Sequence, residues 1–279
     1  MTEPDPRNWI GNTVQHHDSL ATTLTDRIAA TLGAPRPAAG DALPPLWHWA
    51  FFQATVDADA LGADGHPARG GFLPPASDRN RMWAGGRLRF HQPLRVGEDA
   101  VCESEIGNVV EKQGRTGALL FVTVKHRILQ AGELAIAEEQ DIVYREPSAP
   151  KLSLDKAVPD ADWRQTITPD PTLLFRYSAV TFNAHRIHYD WPYVTDTEGY
   201  PGLVVHGPLI ATLLLDAFTQ ANPRARIDTF AFRGLRPLVA PKPFDACGRI
   251  ESAGNAALWA GNDDGPAHEA ELTFSEEPE

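Results

Sequence analysis

Two short stretches of this chain share a weak internal match. Arg89-Phe90-His91-Gln92-Pro93-Leu94 stands about as far ahead of Cys102 as Leu235-Arg236-Pro237-Leu238 does ahead of Cys247. In both places a turn carrying Gly or Pro leads into a further apolar, β-branched run. A duplicated unit restricts the fold severely, because each copy must bury its own apolar face in the same way. The order of elements around the two marks agrees with a repeat. Leu20, Leu24, Ile28 and Leu32 recur every four residues between Asp18 and Gly33, which predicts a helix with Asp18 or Ser19 as N-cap and Gly33 as its stop. The aromatic run Leu46 to Phe52 reads as a short strand and is followed by a Gly/Asp/Pro loop through Pro75. Strand-like segments follow at Met82–His91, Ala100–Val110, Gly117–Gln130 and Leu134–Arg145, with turns at Arg95-Val96-Gly97-Glu98 and Gln113-Gly114-Arg115.

The stretch from Glu146 to Trp163 holds three prolines and few large apolar side chains, and reads as a linker. Beyond it a strand is expected at Phe175–Phe182, a helix at Gly207–Phe218, and strands at Thr229–Leu238, Phe244–Glu251, Ala257–Ala260 and His268–Phe274. The division predicted is therefore 1–147, a linker 148–164, and 165–279. An α+β fold with one helix laid along a curved antiparallel sheet in each half satisfies this pattern.

Composition narrows the function classes. With 279 residues and 42% hydrophobic content the chain can build two cores. Its 37 acidic and 25 basic side chains leave a net charge of −12, whose field repels polyanions and anionic bilayers, so neither nucleic acid nor membrane is an expected partner. Clustered arginines can still hold a small phosphorylated ligand. Cys102 and Cys247 are the only cysteines and lie in no zinc-type spacing. MTEPDPRNWIGN has no basic segment leading into an apolar run, and no apolar stretch is long enough to span a bilayer. These features predict a soluble, cytoplasmic protein in a reducing compartment.

Candidate chemistry concentrates between Phe175 and Leu215. His188 has an imidazole that can take a proton from water near neutral pH and give it back. Asn183, five residues earlier, can orient a water but cannot deprotonate it. His185, Tyr189 and Asp190 crowd the same run and are candidates for a second acid or base. His206-Gly207-Pro208 then opens an apolar helix, with Pro208 suited to its first turn. The first-turn amides of such a helix have no intrahelical acceptor, and Gly207 has no side chain to keep a developing oxyanion away from them.

The run FNAHRIH (Phe182 to His188) resembles the hydratase motif of the MaoC-like, hot-dog-fold enoyl-thioester hydratases, and LVVHGPLIATLL resembles the helix start of that family. TFNAHRIHYD, LPPLWHWAFF (Leu43 to Phe52) and MWAGGRLRFHQPL (Met82 to Leu94) together resemble a double-hot-dog subgroup. That subgroup includes itaconyl-CoA and mesaconyl-C4-CoA hydratases and mitochondrial-type 3-hydroxyacyl-thioester dehydratases. The resemblance runs through nearly the whole chain in order. It implies a double hot-dog in which the first half serves the acyl group and the second carries catalysis. It places Asn183 at the motif's Asp, His188 at its His, and the Gly207 amide as oxyanion donor. His185-Arg186 replaces the motif's Asn-Pro pair.

The implied reaction is reversible hydration of an α,β-unsaturated acyl-CoA, in particular a branched dicarboxylic one, with coenzyme A as part of the substrate and no other cofactor. Arg186, Arg176 and His206 are the expected substrate-binding residues. Arg87, Arg89, Arg233 and Arg236 are candidates for CoA phosphates, and Trp47, Trp49, Phe51 and Phe52 for the first core and the border of an acyl tunnel. The alternatives are a fatty-acid-type 3-hydroxyacyl-CoA or carrier-protein dehydratase, a hot-dog thioesterase, and a non-catalytic acyl-thioester binder. A metal held by His185, His188 and His206 lacks any supporting carboxylate or HExxH pattern, so no metal is expected. Hot-dog sheets associate edge to edge, which makes a homodimer compatible with the chain.

Overall fold

Ten strands and three α-helices are found among the described residues of the computed structural model, which are 4–76, 79–114 and 117–276. The first half runs β1 (Thr13–Asp18), α1 (Thr22–Leu32), β2 (Asn80–Phe90), β3 (Ala100–Gly114), β4 (Gly117–Gln130) and β5 (Glu133–Arg145). The second runs β6 (Trp163–Ile167), α2 (Pro171–Val180), α3 (Gly207–Ala221), β7 (Ala225–Gly234), β8 (Phe244–Ser252), β9 (Asn255–Asn262) and β10 (Gly265–Glu276). Residues 146–162 between them carry no regular element.

All ten strands join one antiparallel sheet in the order β1-β3-β4-β5-β2-β7-β10-β9-β8-β6. Read outward from the centre, both halves have the same strand sequence, which is the double hot-dog. The two sheets expected from the sequence are fused edge to edge where β2 pairs with β7, each supplying the other's unpaired N–H and C=O groups. Arg87 faces Ala231, and the flanking pairs Gly85 with Arg233 and Arg89 with Thr229 fall symmetrically about that point. The similarly spelled segments come next and are structurally equivalent. The amides of His91 and Gln92 both donate to the Ala135 carbonyl, and those of Leu235 and Arg236 both donate to Ala267. Leu43 N–H donates to the Leu94 carbonyl as Val205 N–H donates to Leu238. Pro44-Pro45 therefore occupies in the first half the place of His206-Gly207 in the second.

That difference decides where a long helix forms. In the second half Pro208 sits in the first turn of α3, and Leu209, Ile210, Leu213, Leu214, Leu215 and Phe218 are buried as the helix lies against the sheet. The first half has only a 3-10 turn, Trp47–Ala50, in the corresponding place, followed by a long segment to Arg79. Leu46 to Phe52 is thus not a strand. Leu46 adopts φ +68°, and Trp47, Trp49, Phe51 and Phe52 are all buried, whereas a half-covered strand would expose alternate residues. The helix α1 packs against α2 instead of running along its own sheet.

Other boundaries shift for local reasons. Phe175–Phe182 lies largely within a helix, because the Asp170 carboxylate caps the Leu173 amide at 2.7 Å and Pro171 fits the first turn. The first helix starts at Thr22 with Ala21 as N-cap, while the Asp18 carboxylate accepts from Leu20 N–H at 3.2 Å. Gly33 stops it as expected, at φ +69°. β1 was not anticipated: TVQHHD is a polar edge strand with alternating burial. β7 ends at Gly234, short of Leu238, where Pro237 cannot donate. Of the turn Gln113-Gly114-Arg115, Arg115 lies outside the described residues.

The main core surrounds α3 and draws on both halves, and a smaller one holds Ile106, Leu120, Val122, Ile142 and Tyr144. Among the described residues of the first half one carboxylate is buried. Glu138 accepts from Trp49 Nε1 at 2.9 Å and Gln140 Nε2 at 2.8 Å, and its Oε2 lies 2.9 Å from His48 Nε2. Burial pushes its pKa up, but His48, His126 and Gln140 outweigh that and hold the carboxyl below its ordinary value. Its contribution to stability is therefore present above the unfolded-state pKa and lost as pH falls through the folded one. Glu138→Ala leaves two buried ring donors without an acceptor and is expected to cost about 3–5 kcal/mol. The measurement is the urea midpoint of unfolding at pH 7, and an unchanged midpoint contradicts the assignment.

Candidate active site

The segment between α2 and α3 is folded by its own polar groups. Asn183 N–H donates to the Ser178 carbonyl at 2.8 Å, and Asn183 Oδ1 accepts from His185 N–H at 2.9 Å, closing a turn that leads into a 3-10 turn at Arg186–His188. His188 Nδ1 lies 2.7 Å from the Val204 carbonyl oxygen. A carbonyl only accepts, so Nδ1 carries the hydrogen and Nε2 holds the free lone pair. The Val204 amide in turn donates to Ile187, so the strap before α3 is tied to the histidine from both sides.

His206, the N-cap of α3, stacks on His188 with ring centroids 3.6 Å apart and planes at 18°. Its Nε2 lies 2.8 Å from Ser178 Oγ. The His188 ring is thus held against the residue immediately before Gly207. Burial lowers the His188 pKa to about 4, with the Val204 hydrogen bond opposing and His66 assisting. Burial, then His188 and His185, lowers His206 well below its ordinary value. Both rings are neutral at physiological pH, and the free Nε2 of His188 is a base waiting for a proton.

The first half reaches into this site through its long loop. Arg186 N–H donates to the Asp64 carbonyl at 2.9 Å and Arg186 Nη1 to the Ala63 carbonyl at 3.0 Å. Gly65, at φ +88°, is packed so closely that a Cβ there would overlap the Ala184 carbonyl. The loop thereby seats the His66 ring 4.2 Å from that of His185, which meets His188 edge-on at 5.4 Å. Burial lowers the pKa of His66 and of His185, the latter with further opposition from the neighbouring imidazoles. At the start of α3, a Cβ on Gly207 would stand 3.6 Å from His268 Cε1 and 4.0 Å from the Trp83 carbonyl. Trp49, Trp83 and Phe232 pack as a three-ring aromatic wall, with centroids 4.8 to 6.0 Å apart.

The structure brings His185, His188 and His206 together just ahead of Gly207, with Asn183 in the turn that precedes them. Other candidates are engaged elsewhere. Asp190 accepts from Arg186 Nε at 2.8 Å and from Tyr193 N–H, so its carboxylate is committed to an ion pair. Tyr189 is exposed and donates to the Ala184 carbonyl. Arg186 is held by Asp190, the Ala63 carbonyl and the face of Tyr193, and Arg176 lies on α2 beside Ala30 of α1. Arg87 is paired with Glu139 and Asp141, Arg233 with Glu269, and Arg236 is buried on Asn262 and the Gly265 carbonyl. Arg89 is exposed.

Sequence reasoning missed Asp64, His66, Ser178 and His268. The first two had one available signal, a titratable pair flanking a glycine in an unusually long loop. The donor group brought together is Asp64, His66 and His185, whose ligand atoms lie within 4.8 Å of one another, and not His185, His188 and His206. His188 and His206 each spend one ring nitrogen on a protein partner. Arg69 Nη2 stands 3.9 Å from Asp64 Oδ2, and its positive charge opposes a cation there.

Comparison with known proteins places the chain. Residues 46–240 match the family model described as hydroxyacyl-thioester dehydratase type 2. A mesaconyl-C(4)-CoA hydratase of Chloroflexus aurantiacus is 50% identical over 250 residues, covering 88% of this chain and 89% of that one. A MaoC-like dehydratase from Phytophthora capsici has a similar fold, with TM-score 0.72 at 12% identity, covering 98% of this chain and 97% of that one. A Mycobacterium tuberculosis protein described as having a double hotdog fold superposes with TM-score 0.59 at 15% identity, over 96% of each chain.

The buried imidazoles make a titration prediction. His188 is expected to stay neutral at pH 6 and to take up a proton only as pH falls through about 4. The unfolded chain binds that proton first, so between the ordinary histidine pKa and about 4 native stability rises with pH. Histidine-selective NMR on the folded protein reads this directly. A His188 midpoint at 6 or above contradicts the buried, carbonyl-bound tautomer.

Proposed function

The chain belongs to the hydroxyacyl-thioester dehydratase type 2 family, and from that premise we propose that it is a hydro-lyase that reversibly hydrates an α,β-unsaturated acyl-CoA. The observation that carries the reading is the His188 ring, neutral, with Nδ1 donated to Val204 and its face against His206 at the threshold of Gly207. A base of fixed tautomer beside a first-turn amide is what water addition to a conjugated thioester requires.

In the hydration direction, His188 Nε2 takes a proton from water while the water oxygen bonds to Cβ. The electron pair of the Cα–Cβ double bond moves toward the thioester, and the enolate oxygen rests on the Gly207 N–H. The protonated His188 then returns its proton to Cα as the enolate collapses, so a single imidazole serves both transfers. An imidazolium whose pKa burial has lowered is a willing donor in that second step. Asn183 spends Oδ1 on the His185 amide and keeps its NH2 to hold the water. Asp190 and Tyr189 have no part in this scheme. It calls on no metal or redox cofactor; coenzyme A enters with the substrate.

The finer substrate reading is a short branched dicarboxylic enoyl-CoA of the mesaconyl-C4 or itaconyl type. It is supported by the half-identical relative, whose name states such a substrate, over nearly the whole of both chains. The fatty-acid-type dehydratase reading draws on the family description. A panel of enoyl-CoA esters with and without a second carboxylate separates the two. Hydration consumes the conjugated chromophore and releases no thiol, whereas a thioesterase releases thiol.

Two substitutions test the mechanism. His188→Gln is expected to lower kcat by about 10²–10⁴-fold, the usual contribution of a positioned acid-base group, with a smaller change in substrate affinity. Gly207→Ala is more discriminating. The protein itself admits a methyl there, since the nearest atom stands at an ordinary 3.6 Å, and alanine is the better helix former. Stability is therefore expected to hold within about 1 kcal/mol while kcat/KM falls at least tenfold. Unimpaired turnover by Gly207→Ala would remove the amide from the mechanism.

A further inference from the structure

A substrate with a second carboxylate needs a cation close to the reacting carbons, and Arg186 and Arg176 are both engaged elsewhere. The sheet supplies another. Arg81 of β2 is paired across the ladder with Tyr144 of β5, so the two side chains share one face. Trp83, two residues on, lies on that same face about 6–7 Å along the strand, and its carbonyl is the one that approaches Gly207. Arg81 thus stands on the strand that carries Trp83, whose ring packs on Trp49 in the wall of the site.

Its surroundings leave it electrically uncompensated. Arg81 is partly buried and forms no hydrogen bond or ion pair with another described residue. The charged and titratable groups within electrostatic range of it are Tyr144, Asp64, Arg69, His66 and His185. Asp64 is already shared between His66 at 3.1 Å and Arg69 at 3.9 Å. Arg69 also donates to the Ala76 carbonyl and lies 5.5 Å above the Tyr144 ring. Burial keeps the Tyr144 phenol protonated, and His66 and His185 are neutral. Arg69 and Asp64 cancel, which leaves one guanidinium charge with nothing opposite it.

An unpaired, partly buried guanidinium within electrostatic range of the site's imidazoles offers a fork of donors that matches a carboxylate. We propose that Arg81 binds the second carboxylate of the acyl group and thereby selects dicarboxylic over monocarboxylic enoyl-CoA esters. This rests on the dicarboxylic reading of the substrate given above. In a thioester of a four-carbon unsaturated diacid the free carboxylate is attached at Cβ, the carbon that water attacks. Its cation must then stand on the side of the reacting carbons, and Arg81 lies within electrostatic range of His66 and His185, the rings that lead to His188. The CoA phosphates are a second source of negative charge, but the pantetheine arm holds them many bonds away from the thioester.

The test compares mesaconyl-C4-CoA with 3-methylcrotonyl-CoA, in which a methyl replaces the carboxylate, on wild-type, Arg81→Gln and Arg81→Lys protein. Wild-type is expected to favour the carboxylated ester. Arg81→Gln is expected to lower the ratio of kcat/KM values, carboxylated over neutral, by about 100-fold or more, because the substrate carboxylate is then buried without a cation. Arg81→Lys should recover part of that ratio by restoring charge without the fork. Measurable turnover of the neutral ester reports that each variant is folded. If wild-type shows no preference, the dicarboxylic reading falls and the role of Arg81 with it. If wild-type prefers the carboxylate and Arg81→Gln keeps the same ratio, or loses both esters equally as a CoA contact would, the Arg81 assignment alone is overturned.

Discussion

The pairing of β2 with β7 is the constraint on which the site depends. Each strand is the inner edge of its own half, and their backbone bonds across Arg87 and Ala231 make the two halves one sheet. The same registration carries Trp83 toward Gly207 and brings Phe232 of the second half against Trp49 and Trp83 of the first. Neither half holds these groups alone. The second provides His188, His206, the amide and Phe232, and the first provides His66, Asp64, Trp49 and Trp83.

The duplication also explains why one half keeps a helix start and the other does not. Leu43 and Val205 make equivalent backbone bonds, so the prolines 44 and 45 stand where His206 and Gly207 stand. Proline has no N–H, and two in succession cannot offer an amide to an oxyanion. In place of a long helix the first half has a compact turn of buried aromatics and a loop of more than twenty residues. Loops of that length inside a compact unit are uncommon unless they serve a site, and this one docks on the Asn183–His188 segment through backbone groups.

What the sequence made legible follows from what leaves a local signature. Most of the strands were readable from β-branched periodicity, α1 from its four-residue spacing, and α3 from Pro208 and a continuous apolar face. The run FRYSAVTF misled because its aromatic and β-branched content outweighed Asp170-Pro171, a cap and first-turn proline that fix α2. The polar edge strand TVQHHD offered little apolar alternation to detect. Within the site, the cluster around His188 was visible as neighbours in sequence. The contribution of Asp64 and His66 was not, because the loop that carries them is docked by the carbonyls of residues 63 and 64, and every residue has a carbonyl. Arg81 was equally hidden: it sits in a strand with Arg87 and Arg89, and only the tertiary structure shows that Arg87 is ion-paired, Arg89 exposed and Arg81 partly buried without an ion pair to a described residue.

The charges of the free site favour an anionic ligand and disfavour a bound cation. Four imidazoles in sequence, His66, His185, His188 and His206, are all held neutral, chiefly by burial. Asp64 is the only carboxylate among the groups that act on them, and Arg69 stands beside it. A divalent metal at Asp64, His66 and His185 would add two positive charges to a site that already has an excess of one. A substrate carboxylate seated on Arg81 would cancel that excess instead. Arg81 is among the groups that hold the pKa of His66 and His185 down, and His66 in turn acts on His188. Neutralising it would remove one of the charges that oppose protonation of His66 and His185, while His188, where burial is the leading influence, keeps its neutral, carbonyl-bound form.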